Sequence, residues 1–259
     1  MLDSGLERLG GAGEKGVLLV RGYPAVYVEW LDMFVIADLH LGFEEAMAST
    51  GVFLPRVQLR NAIRLLESLS TVKPGARLAV AGDMKHAFHT LTRQERIELV
   101  KFVRSVESLG FRELVVVRGN HDNYVKNVLA PLGVEVVEPL LDLGRGVIVA
   151  HGHKRIDQDY ELVIMGHEHP AITVSVGGGR SKFPVFLMVP LEGGGQALVL
   201  PPSGSYQVGN VVSTDRSSYL SPVIRERGVV KDAVPVIVDE ETGLMPLVRL
   251  SLLEELFLA

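Results

Sequence analysis

Five short apolar runs punctuate the chain, and each ends in polar residues of one kind. Met33–Ala37 runs into Asp38-Leu-His40, Leu78–Ala81 into Gly82-Asp83, and Leu114–Val117 through Arg118 into Gly119-Asn-His-Asp122. Gly146–Ala150 runs into His151-Gly-His153, and Leu162–Met165 into Gly166-His-Glu-His169. A short, β-branched, uninterrupted apolar run closed by a turn predicts a strand buried on both faces. Open α/β sheets place their sites at the carboxyl ends of such strands.

The remaining pattern predicts the frame around these strands. Val17–Val20 and Ala25–Leu31 read as a hairpin about Arg21-Gly-Tyr-Pro24. Pro55–Leu69 has an apolar stripe of Leu59, Ala62, Ile63, Leu66 and Leu69 at helical spacing. Arg56, Arg60 and Arg64 recur on another face of it, either as a solvated basic face or as a track for nucleic-acid phosphates. Thr92 to Leu109 predicts a second helix, with Thr92 and Glu95 as a capping box. Asn123–Leu129 predicts a short helix whose amino end lies beside the site. From Val134 on, strands predominate: Val134–Val137, Ile172–Val176, Val185–Val189 and Ala197–Leu200 join the two already named. Helices early and strands late predict two sheets packed together with helices outside, an α+β fold. Met1–Lys15 reads as a loose terminus, and Gly177–Gly179 and Gly193–Gly195 as flexible turns. Pro235–Val238 and Leu247–Leu250 predict a hairpin, and Leu252–Leu258 a last helical turn or two. The chain is expected to form one domain over 1–259, with a motif-bearing core over 17–202 and an extension over 203–259 that completes the core or a partner surface.

Composition narrows the chemistry. At 259 residues, 47% hydrophobic and without cysteine, the chain can fill a core but offers no thiolate ligand, so any metal must sit on imidazole, carboxylate or amide oxygen. A net charge of −5 weakens any reading as an extensive duplex-DNA binder, though a local basic patch stays compatible with it. No signal-peptide pattern occurs, and no apolar run reaches the roughly 18 residues of a membrane span, so a cytoplasmic chain without a membrane partner is expected. No Gly-Lys-Ser/Thr motif supports a P-loop. All 8 histidines lie between His40 and His169, which points to one site rather than scattered use.

Asp38, His40, Asp83, Asn120, His151, His167 and His169 make a mixed nitrogen and oxygen set too large for one tetrahedral ion. It suits two ions sharing a carboxylate, with Asp83 as the natural bridge. Ions about 3.5–4 Å apart can hold a hydroxide and clamp a phosphoryl group for in-line displacement. His153 is expected to orient a neighbour or touch substrate. Lys85 and His86 either reach a substrate phosphate or face solvent. Glu44 and Glu45 are expected on a solvated helix start, and Glu168 pointing away from the metals.

Asp-x-His, Gly-Asp, Gly-Asn-His-Asp, His-x-His and Gly-His-x-His, in this order, resemble the calcineurin-like metallophosphoesterases. Ile36–Glu44 and Gly51–Arg56 are most similar to the archaeal phosphoesterases related to the SbcD nuclease. The resemblance implies a four-layer α/β/β/α sandwich, the metallo-dependent phosphatase fold, with two divalent ions: manganese first, then iron, zinc or nickel. By the family pattern one ion takes Asp38, His40, Asp83 and His169, and the other Asp83, Asn120, His151 and His167. His121 would protonate the leaving oxygen, with Asp122 orienting its ring. The implied function is hydrolysis of phosphodiester bonds, of nucleic acid or nucleotides, by a metal-bridging hydroxide. Phosphomonoesterase or cyclic-nucleotide phosphodiesterase activity on the same site is the alternative, and a non-catalytic scaffold a third reading. Lys85, His86, His153, Arg56 and Arg60 are the substrate-binding candidates, and a homodimer is the oligomer considered. One departure stands out: many members follow Gly-Asp with an acidic residue, where this chain has Met84-Lys85-His86.

Overall fold

The computed structural model describes residues 5–176, 179–207 and 209–258. Its first sheet runs in chain order through β1 (Leu6–Glu7), β2 (Val17–Val20), β3 (Val26–Val28), β4 (Met33–Ile36), β5 (Arg77–Ala81), β6 (Leu114–Val117) and β7 (Glu135–Val137). Strands β1 to β4 pair antiparallel and β4 to β7 pair parallel. The second sheet contains β8 (Leu140–Asp142), β9 (Val147–Ala150), β10 (Leu162–Met165), β11 (Pro170–Val176), β12 (Gly179–Pro190), β13 (Gln196–Val199), β14 (Asn210–Val211), β15 (Val234–Asp239) and β16 (Gly243–Pro246). In it β9, β10 and β13 are parallel, and β12 lies antiparallel to β11, β13 and β15.

Period-two alternation sorts the strand side chains between layers. Met33, Val35, Ala79, Ala81 and Val117 face Val147, Val149, Leu162, Ile164 and Phe186 of the other sheet. Phe34, Ile36, Leu78, Val80 and Val116 face outward, onto α3 (Gln58–Val72), α4 (Arg93–Ser108) and α5 (Lys126–Leu129) through Leu66, Leu69, Phe102 and Leu129. On the far side Ile148, Val163, Met165 and Val199 meet α6 (Pro222–Arg227) and α7 (Leu250–Leu258) through Val223, Ile224 and Leu250. The result is an α+β fold of two mixed sheets flanked by helices. All of β4, β6, β9 and β10 is buried, because each has a layer on either face. No helix among the described residues is long and apolar enough to cross a membrane.

Several elements differ from their sequence reading. Residues 5–15 are not loose: β1 pairs with β2, and a one-turn helix, α1 (Gly10–Glu14), buries Ala12 between the sheets. Its Gly-Gly-Ala-Gly-Glu sequence has poor helix propensity, so packing decides its conformation. The helix expected from Pro55 begins at Gln58, and the one expected from Asn123 is only Lys126–Leu129. Gly177 and Gly178 lie outside the described residues, whereas Gly193–Gly195 turns the chain between β12 and β13. The C-terminal hairpin forms as β15 with β16, but its second strand is Gly243–Pro246, four residues before the expected Leu247–Leu250, and β15 joins the second sheet on β12.

The largest local correction is Glu44. It lies on α2 (Phe43–Ser49), only 3% exposed rather than solvated. One carboxylate oxygen accepts from the N–H groups of Val57 and Gln58, both at 2.9 Å, and the other from Gln94 Nε2 at 2.9 Å. A carboxylate at the first free N–H groups of α3 satisfies orphan donors and meets the positive end of the helix dipole. This is why α3 starts three residues after Pro55. Glu44→Ala is expected to cost about 1–3 kcal/mol, at roughly 2–4 °C of melting temperature per kcal/mol, with partial recovery in Glu44→Gln. Thermal melts check it; an unchanged melting temperature would remove Glu44 from this role.

Candidate metal centre

The predicted ligands leave the carboxyl ends of parallel strands in both sheets: Asp38 and His40 after β4, Asp83 after β5, Asn120 after β6, His151 after β9, His167 and His169 after β10. The two sheets face each other, so these five exits open onto one place. The chain does not leave the strands relaxed. Asp38 (φ 55), His40 (φ 46), Asp83 (φ 49), His167 (φ 71) and His169 (φ 46) all sit in the left-handed region. Such backbone is disfavoured for a side-chain-bearing residue by about 1–3 kcal/mol and persists where its surroundings enforce it. Backbone bonds do so here: Asp38 N–H donates to Gly82 O at 3.1 Å, and His40 N–H to Asp83 O at 2.9 Å. Gly119 supplies room, since a Cβ there would overlap the backbone nitrogen and carboxylate of Asp83.

The predicted ligands form two groups, beside a third in which His40 gathers with His86 and His121. In the first, Asp38 and His40 gather with His169: His40 Nε2 is 3.3 Å from His169 Nε2, and His169 Nε2 is 3.5 Å from Asp38 Oδ1. In the second, Asp83 and His151 gather with His167. His151 Nε2 is 3.4 Å from Asp83 Oδ2 and 3.0 Å from Asn120 Oδ1, which brings the amide into the same group. Asp83 Oδ2 also lies 3.8 Å from His40 Nε2, and His151 Nδ1 lies 3.7 Å from Asp38 Oδ1, so the groups share a border at Asp83. All seven predicted ligand residues therefore converge.

The site fits cations. Asp38 Oδ1 is buried and has no hydrogen-bond partner. Aspartates 38 and 83 are both out of water, where a lone carboxylate is costly. Burial alone would raise their pKa values, but the neighbouring histidines, His169 at Asp38 and His151 at Asp83, outweigh it and hold both below the ordinary carboxylate range. Burial pulls His40 down to about 3 and His167 to about 4, leaving neutral imidazoles with free lone pairs. His151 goes the other way: burial disfavours its charge, but Asp83 and Asp38 push it up to about 9. His169 is raised by Asp38 against its own burial.

The other candidates fare differently. His121, partly exposed, donates its backbone N–H to Asp83 Oδ1 at 2.9 Å and places Nε2 3.9 Å from Asp83 Oδ2. Asp122 does not orient its ring. The turn folds Asp122 back, so its carboxylate accepts from Gly119 N–H at 2.8 Å and Lys85 N–H at 3.3 Å. The partner of His121 Nδ1 is the His86 carbonyl. Lys85 is wholly buried and donates its ammonium to the carbonyls of Ala87 and Thr90, so it does not reach a substrate phosphate. His86 does face the site, with Nδ1 3.3 Å from His40 Nδ1. His153 lies at the edge of the second group, its ring tilted against that of His151 at 5.1 Å, with Nδ1 buried and unpartnered. Arg56, Arg60 and Arg64 line a groove of about 540 Å³ between α3 and α4, bordered also by Ile97 and Lys101; no ligand residue lines it. Glu168, buried, turns away as expected and accepts from the N–H groups of Leu220 and Ser221. Sequence reasoning missed Gln58, whose Nε2 donates to Leu39 O between two ligands, and Glu95, which holds the backbone at His86 and Ala87. Only the capping-box spacing hinted at Glu95.

Raised pKa values at His151 and His169 have a consequence for metal uptake. Imidazole ligates in its neutral form, so a metal bound at pH 7 would displace the His151 proton, and affinity would rise with pH towards about 9. In the metal-free chain the His151–Asp83 contact stabilises fully below the ordinary histidine value and is lost as pH rises through about 9. Titration calorimetry with manganese in two buffers of different ionisation enthalpy measures the release; none at pH 7 would contradict the assignment.

No family model matches the chain, and the search of curated proteins found no match. Among solved structures, the nuclease MPE of Pseudomonas putida superposes with a TM-score of 0.62 at 20% identity, over 93% of this chain and 100% of that one. A Vps29 double mutant from Entamoeba histolytica (14% identity, 81% and 87% covered) and a predicted phosphoesterase from Streptococcus pneumoniae (15% identity, 84% and 88% covered) each give a TM-score of 0.29. The likeness to the Pseudomonas nuclease is one of fold, and it takes in 93% of this chain.

Proposed function

We propose that the chain is a divalent-metal-dependent phosphoesterase that hydrolyses phosphodiester bonds, with nucleic acid or nucleotide esters as substrates. The observation that carries the proposal is the meeting of the two ligand groups at Asp83, with His121 beside them. Asp38, His40, Asp83 and His169 would hold one ion, and Asp83, Asn120, His151 and His167 the other. Such a pair, when bound, acidifies water and neutralises charge gathering on phosphorus. The chain's own groups do the rest. A carbonyl only accepts, so the His86 contact requires His121 to carry a proton on Nδ1. The exchangeable proton then belongs to Nε2, the nitrogen on the Asp83 side, and the imidazolium can hand it to a leaving oxygen. The His121 N–H on Asp83 Oδ1 keeps acid and ligand in one frame.

The nucleic-acid class is supported by the Pseudomonas nuclease, which shares the fold. It is also supported by the exposed arginines of the α3–α4 groove, gathered in a chain whose net charge is −5. The deciding experiment strips metal with a chelator, returns manganese, and compares a bis-aryl phosphodiester, a mono-aryl phosphate, cyclic nucleotides, and single- and double-stranded DNA. Hydrolysis of the diester and of DNA ahead of the monoester is expected; no hydrolysis of any ester overturns the proposal. In the same panel His121→Ala should retain metal and lose about 10²-fold or more on esters with poor leaving groups; loss of metal would instead make His121 a ligand. Replacing Arg56, Arg60 and Arg64 together by Ala should lower DNA cleavage about tenfold at moderate salt without a matching loss on the small diester. Equal DNA cleavage would return these arginines to a solvated face.

A further inference from the structure

The segment from Lys85 to Thr92 joins β5 to α4 without helix or strand of its own. It carries His86, whose carbonyl accepts from His121 Nδ1, and Phe88, whose ring meets His121 edge-on at 5.3 Å. An irregular connection of this kind is ordinarily the mobile part of a fold. Here two wholly buried charged side chains grip it. From inside the loop, the Lys85 ammonium donates to the carbonyls of Ala87 and Thr90. From α4, Glu95 accepts with one oxygen from His86 N–H at 3.1 Å and Ala87 N–H at 2.6 Å, and with the other from Thr92 N–H at 2.6 Å. Asn123, just past His121, donates to Phe88 O at 2.7 Å and closes the loop onto the turn that bears His121.

Helix capping does not account for this. A capping box needs only the exchange between Thr92 and Glu95, and leaves the second carboxylate oxygen free. That oxygen is spent on the backbone at His86 and Ala87. A lysine removed from water is likewise rare without a dedicated set of acceptors, and the acceptors of Lys85 are two carbonyls of this loop.

We propose that Lys85 and Glu95 are positioning residues: gripping the Lys85–Thr92 segment from both sides, they hold the His86 carbonyl against His121 and fix that imidazole as the Nδ1–H tautomer with Nε2 towards Asp83. Its catalytic consequence rests on the phosphoesterase reading above; the tautomer itself does not. The test uses Lys85→Met, which keeps the bulk and removes the donors, and Glu95→Gln, which keeps one accepting oxygen. Nitrogen-15 imidazole NMR of the metal-free full chain reads the His121 tautomer. The wild type should show Nδ1–H alone, and each variant a mixture of both tautomers. In the manganese-loaded protein, the ratio of kcat on a poor-leaving-group diester to kcat on a good one should fall about tenfold in each variant, with KM and metal content little changed. A merely structural role would lower both esters alike, alongside the melting temperature, and leave the tautomer as it was; that result, or an unchanged ratio, overturns the proposal. If Lys85→Met does not fold, Glu95→Gln decides alone. If the wild type hydrolyses no ester, the phosphoesterase reading fails while the NMR still settles the positioning.

Discussion

A carboxylate taken out of water at the end of β5 is the constraint to which the molecule answers. Asp83 receives the His121 N–H on one oxygen and faces the imidazole nitrogens of His151, His40 and His121 with the other. A buried charge is tolerated only with partners. These partners come from both sheets, so the sheets must end at the same level. Gly119 has no side chain because Asp83 occupies the place a Cβ would take. The left-handed backbone at five ligand positions follows from the same demand: side chains must turn inward immediately beyond a strand that has no room to curve.

That strain is affordable because of what stands behind it. Strands β4, β5, β6, β9 and β10 are held on both faces, by each other's sheets within and by helices outside. Close packing makes the strand ends stiff. A stiff frame lets residues far apart in sequence, such as His40 and His169, meet within 3.3 Å without a loop having to find the geometry.

Beneath the site lies a buried polar network. Glu44, Gln58, Gln94, Glu95 and Glu98 sit between α2, α3 and α4, and each bonds to backbone or to another member. Glu98 accepts from Gly42 N–H, Gln58 reaches Leu39 O, and Glu95 reaches His86. The helices are thus tied to the strand exits by directed bonds as well as by apolar packing. Apolar contact resists separation but permits sliding; hydrogen bonds set the register. This is the means by which the outer layer governs the histidines at the centre.

The five buried strands, the layering and the convergence of the seven candidate ligand residues were legible from the chain alone. A short apolar run closed by a turn fits a strand covered on both faces, and histidine, aspartate and asparagine at its end are residues of metal-ligand type. The tertiary structure alone decided that Lys85 is sequestered, that Asp122 serves its own turn, that Glu44 sets the start of α3, and that residues 5–15 are ordered. Each depends on which buried backbone donor or acceptor lies within reach of a long side chain. That is settled by folding elements together across tens of residues, and local periodicity carries no record of it.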